Sequence, residues 1–362
     1  MGSLAEIRSR IESIDAELMD LIAERVAIAR DAGEAKRVQG RAPRDFVVER
    51  TVIDRYRRGF ADRSLTPETG ERIAHQLFAE TLRAQEVESR RSDVEAGTEV
   101  VVVGGAGRMG QWFARYLDDI GARVAIHDTE GDLEGFPSVD NLELAASAAD
   151  AVLVSVPPSA VDSVLVQLTG IDTPIVDIAS LKGPFENRLN DLADQQPVAS
   201  VHPMWGPSTR VLSDKFVLLC DCGHPAATAM ARRLIEPTQA TVIELSLSEH
   251  DAAMAFTQVL PQAIGLVFAE VLASSGYTHE ELIERGGRSF AAQTTVAEQL
   301  VGNDPGLYRQ IQADNEHADD IYDRMHAAIT QLDDDRHDPA AFADAMQRYS
   351  YYFDREPEDQ HP

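Results

Sequence analysis

The chain has 362 residues, enough for two or three domains of ordinary size, and 44% of them are hydrophobic, enough for sizeable cores. Its 61 acidic residues outnumber 33 basic ones, giving a formal net charge of −28. Such a surface repels nucleic acid and anionic membrane and argues against both as partners. An acidic substrate then needs locally placed cations, so an Arg or Lys at an otherwise apolar position is informative. No apolar run approaches the roughly 20 residues that span a bilayer, and the opening Met1–Arg8 lacks the basic-then-apolar pattern of a signal peptide; a cytoplasmic location is expected. Cys220 and Cys222 have no second pair to complete a zinc site, so they read as buried thiols and no metal is expected.

Residues 1–91 read as nearly all helix. Leu4, Ile7, Ile11, Ile14, Leu18 and Leu21 form a near-heptad apolar line whose next place holds Arg25, followed by Ile28 and Ala32. A guanidinium on a packing seam is costly unless an anion meets it, although it can also snorkel or pair with a neighbouring Glu. Lys36 lies on nearly the same helix face as Arg25, about 16 Å further along. A second helix opens near Arg44–Arg50. A third starts at Thr66–Pro67, with Thr66 as cap and Pro67 in the first turn. On it Thr81 and Gln85, four apart, face the same way.

The ordered set Arg8, Arg25, Lys36, Asp45, Glu49, Thr81 and Gln85 resembles the all-helical chorismate mutase family across essentially the whole unit. The resemblance implies that Arg8 and Arg25 hold the two substrate carboxylates. Lys36 and Gln85 then donate to the ether oxygen, and Glu49 with the Asp45 region receives the ring hydroxyl. A pericyclic rearrangement needs no nucleophile or base, only a clamp on the dianion and donors where charge develops. Arg8 and Arg25 lie about 25 Å apart along one helix, so both can serve one small molecule only if Arg8 comes from a second subunit; an intertwined homodimer is expected. Val48 departs from the family pattern, which usually has an arginine there. That departure favours weakened activity, or a unit kept for dimerisation or regulation.

Residues 92–98 are polar and turn-prone, a linker. From 99 to 245 short buried strands alternate with helices, as in Glu99–Val103, Arg123–Ile126 and Ala151–Val156, which predicts a parallel α/β sheet of Rossmann type. The glycine fingerprint is read at Gly105, Gly107 and Gly110, with Arg108 and Met109 between them. It follows a strand, opens a helix and precedes a second strand ending at Asp128. On this reading Gly105 permits the tight turn and Gly107 lets the backbone approach a pyrophosphate. Gly110 allows close helix–strand packing, and the helix N-terminus stabilises the anion. Asp128 accepts from the adenosine ribose and repels a 2′-phosphate, favouring NAD over NADP, although Arg108 is placed to contact a phosphate. Ser155, Val156 and Pro157, at a later strand end, are expected to line the nicotinamide pocket.

Two further strand ends carry Ser180, Lys182 and His202. A histidine fixed between a strand and a proline is a candidate base. With the fingerprint, Asp177…Ser180…Lys182-Gly183-Pro184, His202-Pro203-Met204-Trp205-Gly206-Pro207 and Glu249-His250-Asp251, the stretch from Glu99 to Tyr308 resembles prephenate dehydrogenases, particularly those fused to a chorismate mutase. The resemblance implies oxidative decarboxylation of prephenate to 4-hydroxyphenylpyruvate with NAD. His202 takes the ring hydroxyl proton, and Ser180 orients His202 or the hydroxyl. Lys182 sits near substrate or cofactor, with a surface salt bridge as its alternative. His250 either meets substrate or plays a structural or capping part. The side-chain carboxylate needs a cation; the family's place for it holds Ala291, so Arg288 is the candidate and Arg285 the alternative. Gln262 stands where relatives often have histidine, which leaves prephenate and arogenate both open as substrates.

The expected architecture is therefore multidomain: an all-α unit (1–91), an α/β Rossmann-type domain (99–245) and an all-α substrate and dimerisation domain (246–333). An acidic tail that frays (334–362) follows. A monofunctional dehydrogenase with accessory helices, a non-enzymatic NAD-binding regulator and a β-hydroxyacid dehydrogenase of related fold are the competing readings. The excess of acid resembles that of proteins from salt-loving organisms.

Overall fold

The computed structural model describes residues 3–38, 46–89, 97–209, 212 and 215–354. Three helices come first: α1 (Leu4–Val38), α2 (Phe46–Ala61) and α3 (Pro67–Ser89). Their packing centres on α3, which contacts both α1 and α2 and buries Ala74 and Leu77. The apolar line of α1 is not covered by the described residues: Leu4 is 65% exposed, Leu18 50% and Ile28 62%.

The sheet follows. Its strands are β1 (Glu99–Val103), β2 (Arg123–His127), β3 (Ala151–Val154), β4 (Ile175–Asp177), β5 (Val198–Pro203), β6 (Phe216–Cys220) and β7 (Thr241–Leu245). They lie in the order β2-β1-β3-β4-β5-β6-β7. Helices α4 (Arg108–Asp119), α5 (Leu142–Ala148), α6 (Pro158–Gln167), α7 (Glu186–Ala193) and α8 (Pro225–Ile235) intervene along the chain. Two apolar clusters form around the sheet, one including Val102, Phe113, Leu117 and Ile126, the other Val101, Val154, Leu165 and Leu189. β1 to β5 are parallel, but β6 runs antiparallel to β5. The sheet is thus mixed rather than wholly parallel. No helix occurs between β5 and β6 among the described residues, and a parallel pairing needs a crossover that an antiparallel one does not.

The remaining helices are α9 (Leu247–Met254), α10 (Leu260–Ala273), α11 (His279–Arg285), α12 (Arg288–Val301), α13 (Pro305–Asp314), α14 (Ala318–Asp335) and α15 (Pro339–Asp354). A π turn, Ala255–Val259, joins α9 to α10. Pro261 falls in the first turn of α10, where a missing N–H is tolerated, so the helix continues. The resulting stretch Leu247–Ala273 is long and apolar enough, by length and composition alone, to cross a membrane. This corrects the expectation that no such run exists. A Cβ on Gly265 would lie 2.3 Å from Leu300 Cδ1, so α10 and α12 approach closely, as in a protein core. Residues 339–354 are helical, where the acidic composition suggested a frayed tail. Ala345 is buried, and Phe342, Ala345, Met346 and Tyr349 recur at helical spacing.

The chain divides into two compact units, Met1–Ser180 with Phe185–Leu247, and Leu181–Pro184 with Ser248–Pro362. The short segment Leu181–Pro184 leaves the sheet to join the second unit, where Leu181 packs with Ala255, Val259, Ile311 and Ile321.

Candidate active sites

In the helical bundle Arg25 is half-buried on α1. Its guanidinium carbon stands 5.9 Å from the centroid of Phe78 on α3, and Nη1 is buried with no hydrogen-bond partner among the described residues. It is not tied to a neighbouring glutamate, the arrangement that would make it structural. A buried N–H with no acceptor is costly, and an anion removes that cost. Thr81, one turn beyond Phe78, is buried, but its hydroxyl donates to the Leu77 carbonyl at 2.8 Å. Arg8 is exposed on the same helix as Arg25. Lys36, Glu49 and Gln85 lie on α1, α2 and α3, but their side chains, and Asp45 altogether, are outside the described residues.

The glycine turn shows why the sequence carries so many glycines. Gly104, not Gly105, takes the left-handed conformation, with φ 79°. A Cβ there would meet the Ser155 carbonyl oxygen at 2.4 Å. Gly105 serves close approach instead: its Cβ would meet Ile126 Cγ2 at 2.5 Å. At Gly110 a Cβ would lie 2.0 Å from the Gly104 carbonyl oxygen, so α4 packs tightly against the turn. Gly107 and Arg108 are exposed and Met109 half-buried. Gly107 caps α4 with no side chain over the helix end, which leaves first-turn amides open to an anion. Asp128 follows β2. Its Oδ2 accepts from the Ala106 N–H at 2.9 Å and its Oδ1 from the Glu130 N–H at 2.8 Å, so the carboxylate is fixed beside the turn. This cradle fits a dinucleotide: backbone amides for pyrophosphate and an acidic group where the ribose sits. Ser155 extends β3, its N–H donating to the Val103 carbonyl at 2.8 Å, and Pro157 caps α6.

At the next strand ends, Ser180 Oγ is buried with no hydrogen-bond partner among the described residues, and His202 is buried on β5. Two buried residues to which the sequence reading assigned no role, Asp177 and Ser200, organise these positions. Asp177, last in β4, accepts from the Ser200 hydroxyl on β5 at 2.7 Å and from the Ala179 N–H at 3.0 Å. One carboxylate therefore ties the strand of His202 to the segment leading to Ser180. The only local signal was an aspartate inside an apolar strand.

In the second unit Lys182 is fully buried, which excludes the surface salt bridge considered for it. His250 is also fully buried, on α9, with Nδ1 2.6 Å from Asp251 Oδ1. Burial pushes the Asp251 carboxyl up, but the His250 hydrogen bond, the Gly183 amide, the charge of His250 and the Lys182 amide together hold it below the ordinary carboxylate value. Arg285 reaches Glu281 and stacks on Tyr277, whereas Arg288, exposed at the start of α12, makes no hydrogen bond or ion pair among the described residues.

Comparison with known proteins gives a consistent result. Residues 7–86 match the family model for chorismate mutase type II, 131–244 that for the prephenate dehydrogenase nucleotide-binding domain, and 246–345 that for the prephenate dehydrogenase dimerization domain. The second match starts downstream of the glycine turn, which therefore stands on its own geometry. The chain is 27% identical to the T-protein of Enterobacter agglomerans over 98% of this chain and 94% of that protein. It is 24% identical to the T-protein of Haemophilus influenzae over 86% and 81%. Among solved structures it resembles in fold the Aquifex aeolicus prephenate dehydrogenase in complex with hydroxyphenyl propionate and NAD+. The TM-score is 0.56 at 20% identity, over 73% of this chain and 99% of that one. The Synechocystis arogenate dehydrogenase follows, with TM-score 0.54 at 16% identity, over 70% and 98%. With the helical bundle, the rest of the nucleotide-binding domain and the C-terminal helices each matched in turn, the chain belongs to the bifunctional enzymes that join a type II chorismate mutase to an NAD-dependent prephenate dehydrogenase.

Proposed function

We propose a division of labour among named residues for the two reactions of this enzyme, which rearranges chorismate to prephenate and oxidatively decarboxylates prephenate to 4-hydroxyphenylpyruvate in tyrosine biosynthesis. The observation that carries the first half is the buried, unpartnered Nη1 of Arg25. Arg25 holds one substrate carboxylate and Arg8 of the partner subunit the other. Lys36 and Gln85 donate to the ether oxygen as its C–O bond breaks, and Glu49 with Asp45 receives the ring hydroxyl. Thr81 supports the α3 backbone through its bond to Leu77. The exposed apolar line of α1 supports an intertwined homodimer, because a 35-residue amphipathic helix does not stay open to water without cost.

In the second half, NAD supplies the two-electron acceptor when bound. The Gly104–Gly110 turn and the first turn of α4, including Arg108 and Met109, hold its pyrophosphate, Asp128 its adenosine ribose, and Ser155, Val156 and Pro157 its nicotinamide end. His202 takes the proton of the substrate ring hydroxyl at an imidazole nitrogen while the ring carbon loses its C–H electron pair. The bond to the ring carboxylate then breaks and carbon dioxide leaves; its electron pair makes the ring aromatic and moves charge to the ring oxygen, which takes the proton back from His202, so no further base is needed. Ser180 orients the hydroxyl. Lys182 and His250 are further polar groups assigned to substrate, and Arg288 is assigned to its side-chain carboxylate. A cytoplasmic location fits these soluble metabolites. His202→Asn tests the assignment: NADH formation from prephenate should fall by about a thousandfold while chorismate loss stays at the wild-type rate. Oxidation within tenfold of wild type removes His202 from its role.

A further inference from the structure

The mechanism above gives no task to the buried carboxylate of Asp251. Asp251 is 1% exposed on α9. Its Oδ1 accepts the Lys182 N–H at 3.0 Å and stands 2.6 Å from His250 Nδ1; its Oδ2 accepts the Gly183 N–H at 2.8 Å and lies 3.3 Å from Lys182 N. Its own main chain is held as well, since Asn315 Nδ2 donates to the Asp251 carbonyl at 2.9 Å. The approach is close enough to require glycine: a Cβ on Gly183 would come within 2.9 Å of Oδ2. Leu181, fully buried among apolar side chains, anchors the same segment. A carboxylate is withdrawn from water this completely only where donors replace the lost hydration, and here all the donors belong to one loop and one histidine.

That loop begins at Ser180, whose buried hydroxyl has no protein partner among the described residues. The carboxylate therefore fixes the two amides that follow the serine and one nitrogen of a histidine at once. We infer that Asp251 is a positioning residue for prephenate oxidation, which sets the Ser180–Gly183 loop through the Lys182 and Gly183 amides and fixes the ring of His250. This inference rests on the reading of Ser180 and His250 as substrate-side groups.

The test uses the full chain and two variants, Asp251→Asn and Gly183→Ala. In Asp251→Asn one oxygen becomes an NH2 group facing N–H donors, so the loop shifts. A displacement of about 1 Å in such a site costs roughly a hundredfold. The kcat for prephenate oxidation should fall by about that factor and the KM for prephenate should rise. The Kd of NAD by equilibrium dialysis and the rate of chorismate loss should stay within twofold. Gly183→Ala leaves the carboxylate intact but crowds it, and should shift the same two dehydrogenase constants to a smaller extent. A merely structural role predicts instead that NAD binding and chorismate loss weaken together with prephenate oxidation. Folded Asp251→Asn with wild-type kcat and KM for prephenate overturns the inference, and should that variant not fold, Gly183→Ala with wild-type constants does so. His202→Asn run alongside separates the two levels. Retained oxidation there defeats the reading of the site, whereas an inactive His202→Asn beside an unimpaired Asp251→Asn defeats only the part given to Asp251.

Discussion

The sheet and the first helix solve the problem of apolar surface in opposite ways. Val102, Val154, Ile175 and Leu219 are buried to 2% exposure or less, because helices of the same chain cover the sheet. On α1, by contrast, Leu4, Ile11, Leu18 and Ile28 remain open along a helix of 35 residues. The dinucleotide cradle is accordingly complete in one chain. The mutase site has one cation in place and the other about 25 Å away along the same helix. The difference bears on the proposal that the mutase site is shared between two subunits: the nucleotide turn is assembled from one chain, whereas the proposed mutase cations are far apart within one chain.

The sharpest way to break this comparison is to separate the two arginines. Arg25→Ala and Arg8→Ala should each lower chorismate loss by about a hundredfold to a thousandfold, the range for removing one charge-stabilising group, and leave prephenate oxidation unchanged. Refolding the two variants together should restore part of the mutase rate, since each mixed dimer has one site with both arginines. No recovery on mixing, measured as chorismate disappearance, contradicts the shared site. A smaller effect sharpens the other side. Asp128→Ala should raise the KM for NAD by about tenfold, the worth of a charged hydrogen bond, and narrow the preference for NAD over NADP; an unchanged ratio of the two would displace Asp128 from the ribose.

The smallest effect concerns the whole surface. Both substrates are dianions and the chain has a net charge of −28. Repulsion slows their encounter and salt screens it. Raising sodium chloride from low concentration to 1 M should increase kcat/KM for chorismate and prephenate by a few fold. A steep fall with salt indicates that local cations dominate the approach instead.

Much of this molecule is legible from its sequence because the relevant signals are local. Runs of β-branched residues mark the strands, and a glycine fingerprint between a strand and a helix marks the cradle. The register of that fingerprint was harder to read. Gly104 and Gly105 are adjacent, and only the backbone shows that the first takes the positive φ while the second lies against Ile126. The roles that were missed depend on contacts across long sequence separations. Asp177 meets Ser200, and Asp251 meets Lys182 from 69 residues away, so no spacing rule points to either. Helix α15 was hidden by its acidic surroundings although its apolar residues keep helical spacing. The antiparallel β6 was hidden because nothing in Phe216–Cys220 itself records direction.

The central claim is that one chain runs two consecutive reactions at two separate sites. It is tested most directly by supplying purified protein with chorismate and NAD alone and following NADH. The account predicts NADH from the wild-type chain, little from Arg25→Ala, and full recovery of that variant when prephenate is added. Wild-type protein that forms NADH from prephenate but none from chorismate, or Arg25→Ala that matches wild type on chorismate, contradicts it.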